Sequence, residues 1–135
     1  APGASWAIQV PIGRHPHPRL GWVWAAGGEG ALPARSLLSL LETRPDGDLV
    51  EVEIQSGRPH QIRIHCAALG APLLGDPLYL PGGVAHAAAL PGAGGYQLHA
   101  LALRLRRPDG AGLDLWAPPP PSLRWAGDSL PGSPR

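Results

Sequence analysis

Hydrophobic and polar positions alternate most cleanly between residues 49 and 55. In Leu49-Val50-Glu51-Val52-Glu53-Ile54-Gln55, Val50, Val52 and Ile54 fall on one side and Glu51, Glu53 and Gln55 on the other. A period of two with one apolar side predicts a half-buried antiparallel strand. The apolar run 36–43 predicts its partner, and Arg44-Pro45-Asp46-Gly47-Asp48 between them carries the Asp-Gly pair of a tight hairpin. The period then lengthens. Ser56-Gly57-Arg58 reads as a turn, and Pro59 suits the first position of a helix. Ile62, Cys66 and Leu69 recur at helical spacing and predict one buried stripe, with His60, Arg63 and Ala67 on a different face. Gly70 is placed to end that helix in a left-handed conformation. A further strand is expected from Leu98 to Arg106, with Leu101, Leu103 and Leu105 on one face. Arg107-Pro108-Asp109-Gly110 turns it, and Leu113-Asp114-Leu115-Trp116 returns as its partner.

Elsewhere the pattern is weaker. Trp6-Ala7-Ile8-Gln9-Val10 alternates enough for a short strand. Arg14-His15-Pro16-His17-Pro18-Arg19 excludes helix and reads as an exposed loop, with His15 and His17 solvated. Gly27-Gly28-Glu29-Gly30 reads as a flexible turn, so order is expected to begin near Ala34. Gly75-Asp76-Pro77-Leu78-Tyr79 reads as a turn, and 81–95 as a mobile Ala- and Gly-rich surface segment. Four prolines from Pro118 predict an extended, poorly ordered tail over 119–135. Two hairpins and one helix make the expected class α+β: a mixed, mostly antiparallel sheet with packed helices.

Length and composition narrow this further. The 135 residues suffice for one domain or part of one, and 44% apolar residues can supply a core. No uninterrupted apolar run is long enough for a membrane-spanning helix. The single cysteine, Cys66, excludes an intrachain disulfide and a cysteine-built zinc site, which fits a reducing, cytoplasmic setting. All 11 basic residues are Arg, and the net charge of +1 neither demands nor excludes nucleic acid. The sequence opens on Ala1 and contains no Met, which reads as a piece of a longer protein.

The densest polar cluster is Ser56-Gly57-Arg58-Pro59-His60-Gln61-Ile62-Arg63-Ile64-His65. Two arginines at the start of a helix make a corner suited to phosphate or carboxylate, and a solvated helix face is the competing reading. His60 and His65 are not at the i, i+4 spacing of metal ligands on one helix face, so no metal site is expected. Cys66 reads as a small core residue. Trp22 and Trp24 face the same side of an extended segment, with packing the favoured role and base stacking the alternative. Arg104, Arg106 and Arg107 read equally well as a basic edge for RNA phosphates or a solvated strand face.

Gly57-Arg58-Pro59-His60-Gln61-Ile62-Arg63-Ile64-His65, followed by Leu69-Gly70-Ala71-Pro72-Leu73-Leu74-Gly75-Asp76-Pro77-Leu78-Tyr79, closely resembles the signature of RluA-type pseudouridine synthases. Leu98-His99-Ala100 matches a third element, and Pro33-Ala34-Arg35-Ser36 resembles a small-residue segment of the family. The resemblance spans roughly residues 6–118, taken as 1–118 for the domain. It implies the pseudouridine synthase fold, here its C-terminal half. It also implies isomerisation of uridine to pseudouridine in structured RNA (rRNA or tRNA) without metal or organic cofactor. By the same resemblance, Arg63 partners the catalytic aspartate and Leu98 packs under the target base. Arg58, His60, Gln61 and His99 contribute to substrate binding, and Gly75, Asp76 and Tyr79 form a structural turn beside the site. Such enzymes flip the target nucleotide out of its stack.

One part of the family pattern is missing. The catalytic aspartate belongs to an H-R-L-D-x-x-T-S-G segment, and this sequence has none. Pro18-Arg19-Leu20-Gly21 has glycine where the acid belongs, and the only tyrosines are Tyr79 and Tyr96. The expected partners are therefore structured RNA and an N-terminal half of the domain, with this chain alone inactive. The alternative is a non-catalytic RNA-binding remnant. Asp76, the only acid within the motifs, is expected to bond its own turn backbone rather than act as nucleophile.

Overall fold

The computed structural model describes residues 3–45, 47–88, 98, 102–106, 112–116 and 123. The chain divides into two compact units, Ala1–Gln97 and Leu98–Arg135. In the first, β1 (Ser5–Ile8), β4 (Ser36–Arg44) and β5 (Gly47–Ile54) form a three-stranded antiparallel sheet in the order β1-β4-β5. Between β1 and β4 runs a separate hairpin of β2 (Ile12–His17) and β3 (Gly21–Ala26). Helix α1 (Gln61–Ala68) follows β5, and then a short hairpin of β6 (Tyr79–Leu80) and β7 (Val84–Ala85). In the second unit β8 (Ala102–Arg106) pairs with β9 (Gly112–Trp116) antiparallel, from Ala102 opposite Trp116 to Arg106 opposite Gly112. Every strand pairing among the described residues is antiparallel. The segment 89–97, His99, Arg107 with its turn, most of the tail and the side chains of the β8–β9 hairpin lie outside the described residues, as does Asp46.

The β4–β5 hairpin forms where alternation predicts it. Val50 and Val52 stand opposite Leu40 and Leu38, both buried. A bulge between Leu40 and Glu42 then shifts the register and brings Leu49 into the core opposite Glu42. Ile54, expected with the buried set, ends the strand and is exposed.

Order begins well before Ala34. The segment read as a proline loop is β2. Pro16 is accommodated because a two-stranded sheet has only edge strands, where a missing N–H is tolerated. His17 is not solvated: it is 6% exposed, and its Nε2 donates to the His86 carbonyl at 2.8 Å. Its Nδ1 accepts the Arg19 and Leu20 amides, which shapes the β2–β3 turn. His15 is half-buried and bonds the Gly27 carbonyl at 3.0 Å. The segment taken as surface from residue 81 likewise starts with the ordered β6–β7 hairpin.

Helix α1 sits between two apolar clusters. Ile64 and Ala67 join Ile12, Ala25, Ala34 and Tyr79 on one side, while Cys66 joins Ile8 and Leu38 on the other, with Ile62 packed alongside. The helix is thus buried around most of its circumference rather than along one stripe, and Leu69 is exposed. Burial pushes the Cys66 thiol up to about 11, so it stays protonated as a core residue. The helix ends as expected. Gly70 has φ +90°, its N–H bonds Ala67 at 2.9 Å, and the Ala71 N–H reaches back to Cys66 at 3.0 Å.

Candidate active site

The start differs from expectation. The first helical residue is Gln61; Pro59 lies in the preceding turn, and His60 is the N-cap. The Gln61 amide is buried and fully used. Its Nε2 donates to the Arg35 carbonyl at 2.8 Å and to Ser36 Oγ at 2.9 Å. Its Oε1 accepts the Ser56 hydroxyl at 2.7 Å and the Arg58 amide at 3.2 Å. Filling both donors and both acceptors removes the penalty of burying an amide and fixes α1 against the start of β4. Ser36 passes the chain on to His65, Oγ to Nδ1 at 2.8 Å, and His65 Nε2 meets the Val10 carbonyl at 2.7 Å. A carbonyl only accepts, so Nε2 carries the proton and Nδ1 takes the serine hydroxyl. Burial pushes the His65 pKa down, against the Val10 bond that raises it, so this neutral tautomer is the resting one.

Arg58 turns back to the same seam, its Nε donating to the Pro33 carbonyl at 2.7 Å. Arg35 is tied likewise: its amide donates to Ser56 Oγ at 2.9 Å and its guanidinium to Gln55. Of the residues expected to bind substrate, Gln61 and Arg58 therefore build the corner's frame. Nothing in the spacing revealed the roles of Ser36 and His65, which are both wholly buried.

Arg63 lies two residues beyond Gln61 and meets Asp76 from the loop after the helix. Its Nε donates to Oδ2 at 2.9 Å and its Nη2 to Oδ1 at 2.7 Å, a bidentate pair with side chains 6% and 0% exposed. Asp76 Oδ1 also accepts the Leu78 amide at 3.0 Å and the Tyr79 amide at 3.3 Å, the expected turn bonds. Burial tends to raise the Asp76 pKa. The Arg63 bonds and charge, with the two amides, outweigh it and hold the carboxyl below its ordinary value. The arginine also lies over the Tyr79 ring, 5.0 Å from its centroid, and the Tyr79 hydroxyl donates to the Trp24 carbonyl at 2.7 Å.

His60 closes the arrangement on the exposed side. It alone among the described non-glycine residues has positive φ, at 54°. Its ring is 6.2 Å from that of Tyr79, and Arg63 Nη1 donates toward its Nδ1 at 3.4 Å. Burial first, then the Arg63 charge, depress its pKa, with Asp76 acting in the opposite direction. The part-buried imidazole is therefore shifted toward its neutral form beside a fixed cation. His60, Arg63, Asp76 and Tyr79 are thus brought together, with Gly75 in the turn that delivers Asp76. Leu98 belongs to the second unit and is exposed; His99 lies outside the described residues. No group of residues able to hold a metal ion occurs among the described residues.

No family model matches the chain. Whole-sequence comparison is more informative. An RNA pseudouridine synthase of Synechocystis sp. is 49% identical over 115 residues, covering 83% of this chain and 39% of that protein. The ribosomal large subunit pseudouridine synthase D of Nitrosomonas europaea is 34% identical over 119 residues, 84% of this chain and 33% of its own length. The chain belongs to the RluA-type family of RNA pseudouridine synthases. RNA pseudouridine synthase 5 of Arabidopsis thaliana is another such relative, 48% identical over 103 residues, 67% of this chain and 27% of its length. The chain thus spans between about a quarter and two-fifths of these relatives. The signature of this RluA-type chain is what folds into the corner above. Its glutamine and second histidine lock the helix in place, and its second arginine is held by the aspartate of the following motif.

Proposed function

We propose that the protein carrying this chain isomerises uridine to pseudouridine in structured RNA, breaking the N-glycosidic bond to N1 and re-forming it to C5. The observation that carries this reading is the buried Arg63–Asp76 pair facing the exposed, left-handed His60, formed by signature residues of a chain whose relatives are named RNA pseudouridine synthases. The antiparallel strands around one helix support the C-terminal half of the pseudouridine synthase fold.

Asp76 is not the nucleophile in this reading. Its side chain has no exposed surface and both oxygens are engaged, so it serves as the positioning residue for Arg63. The nucleophilic aspartate belongs to a segment of the H-R-L-D type, which these residues do not include. Arg63 supplies a cation of fixed direction to hold that carboxylate ionised, as the family resemblance implies. By the same resemblance, Leu98 is the residue expected under the target base.

The test uses the full-length protein with its RNA, reading pseudouridine by carbodiimide adduct mapping. Wild type is expected to convert a defined uridine. Arg63→Ala is a poor probe, because it strands a buried carboxylate at a cost of about 3–5 kcal/mol. Arg63→Lys keeps the charge and loses the fork. It is expected to slow conversion about a hundredfold or more, as misplacement of a positioned group does, while the protein stays folded. A wild type without conversion on any rRNA or tRNA sinks the enzyme reading, and an Arg63→Lys rate equal to wild type sinks the role of Arg63.

A further inference from the structure

The β2–β3 hairpin carries a feature that the active-site corner does not use. Its register sets Arg14 opposite Trp24 and Pro16 opposite Trp22, so these side chains share one face. Toward the open end of the hairpin that face is core, with Ile12 opposite Ala26. Toward the turn it opens to solvent, and Trp22 is 46% exposed. The two indoles meet edge to face at 5.2 Å, and the Arg14 guanidinium lies 4.5 Å from the Trp22 ring centroid and 5.3 Å from that of Trp24.

Packing alone explains little of this. The neighbours Val23 and Ala25 bury their side chains, whereas nearly half of the larger Trp22 remains in water at a hydrophobic cost that a polar residue would avoid. Charge points the same way. Residues 1–28 contain Arg14 and Arg19 and no Asp or Glu, and neither arginine forms an ion pair among the described residues. The patch also continues from the site. Trp24 packs against the cluster holding Tyr79, whose hydroxyl bonds the Trp24 backbone, and Tyr79 lies beneath Arg63 and beside His60.

We infer that this face is an RNA contact: an unpaired nucleotide of the substrate stacks its base on Trp22, with Arg14 and Arg19 taking the adjoining phosphates. Exposed indole supplies stacking that any base accepts, and arginine supplies the phosphate contact. Arg14 also holds the Trp22 ring in place before RNA arrives, which lowers the ordering cost of binding. The inference rests on RNA being the substrate, and its test is separate from turnover.

Anisotropy of a fluorescein-labelled RNA stem–loop with an unpaired uridine-containing loop gives Kd for the full-length protein over a salt series, with pseudouridine scored independently. Trp22→Ala is expected to raise Kd about tenfold or more, and Trp22→Phe to recover most of it. Arg14→Gln is expected to weaken binding and lower the slope of log Kd against log salt by about one. The inference is overturned if wild type binds no RNA, or if Trp22→Ala and Arg14→Gln leave Kd and slope unchanged. It is equally overturned if Trp22→Ala changes only the molar mass by light scattering, which would assign the face to a protein contact. A wild type that binds through Trp22 yet forms no pseudouridine supports the RNA contact and overturns the synthase reading instead.

Discussion

At the scale of single residues, His60 is held in a conformation that suits glycine. Its φ of 54° and ψ of 24° cost an L-residue about 1–2 kcal/mol. The N-cap gives no compensation, since its side chain makes no capping bond to the helix. What the residue gains is position: an imidazole shifted toward its neutral form over Arg63 and beside Tyr79. Strain retained beside a buried ion pair is what a functional position carries, which supports the proposed site. His60→Gly is therefore expected to stabilise the protein by about 1 kcal/mol in urea unfolding while lowering pseudouridine formation. A destabilised variant of full activity would show that the left-handed turn is merely structural. The partnership of Arg63 with Asp76 was not legible at this scale. The two lie far apart in sequence, joined by a loop whose path depends on Gly70 and Gly75, and no periodicity reports which acid such a loop returns. The turn bonds of Asp76 were legible, because they are local.

Among elements, the short β6–β7 hairpin shows how closely backbone is packed around α1. Gly82 donates to the Ala67 carbonyl at 2.7 Å, and the Ala26 amide donates to the Gly83 carbonyl at 3.1 Å, so this turn bridges helix and β3. A Cβ on Gly83 would stand 2.7 Å from that of Ala26 and 3.3 Å from that of Ala68, at φ +78°. Gly82 shares the positive φ but has open space around its Cβ position. Gly83→Ala is accordingly expected to cost about 2–4 kcal/mol, strain and overpacking together, against about 1–2 kcal/mol for Gly82→Ala. Equal losses in chemical denaturation would show that strain alone matters. Strand pairs whose information is local were readable in the sequence: the β4–β5 hairpin from its alternation, the C-terminus of α1 from Gly70. The β2–β3 hairpin was hidden by Pro16 and Pro18, since a rule against proline in sheets holds for central strands and not for a two-stranded ribbon. The helix stripe was misplaced for a related reason. A helix covered on both sides has no single apolar face, and Ile64 and Ala67 fall where an amphipathic pattern predicts polar residues.

For the molecule as a whole, that double burial decides how the first unit unfolds. The β1-β4-β5 sheet and the β2–β3 hairpin share no ladder, and a two-stranded hairpin is at best marginally stable alone. Helix α1 connects them: Ile64 and Ala67 complete one apolar cluster, Cys66 and Ile62 the other, and His65 bonds both β4 and the segment after β1. Losing the helix therefore exposes both clusters at once, and the two sheets behave as one cooperative unit rather than two. With fluorotryptophan incorporated, Trp6 reports the sheet through its pairing with Leu38, and Trp24 reports the hairpin through its pairing with Arg14. Their fluorine resonances are expected to vanish at the same urea concentration. Ile64 belongs to the hairpin-side cluster, yet Ile64→Ala, with a cavity cost of about 2–5 kcal/mol, is expected to shift both midpoints equally. A variant in which Trp24 melts early while Trp6 keeps its wild-type midpoint would show two independent modules. The candidate active-site corner, built on β4, α1 and the loop to β6, would then lack the shared support that holds Arg63 and His60 in register.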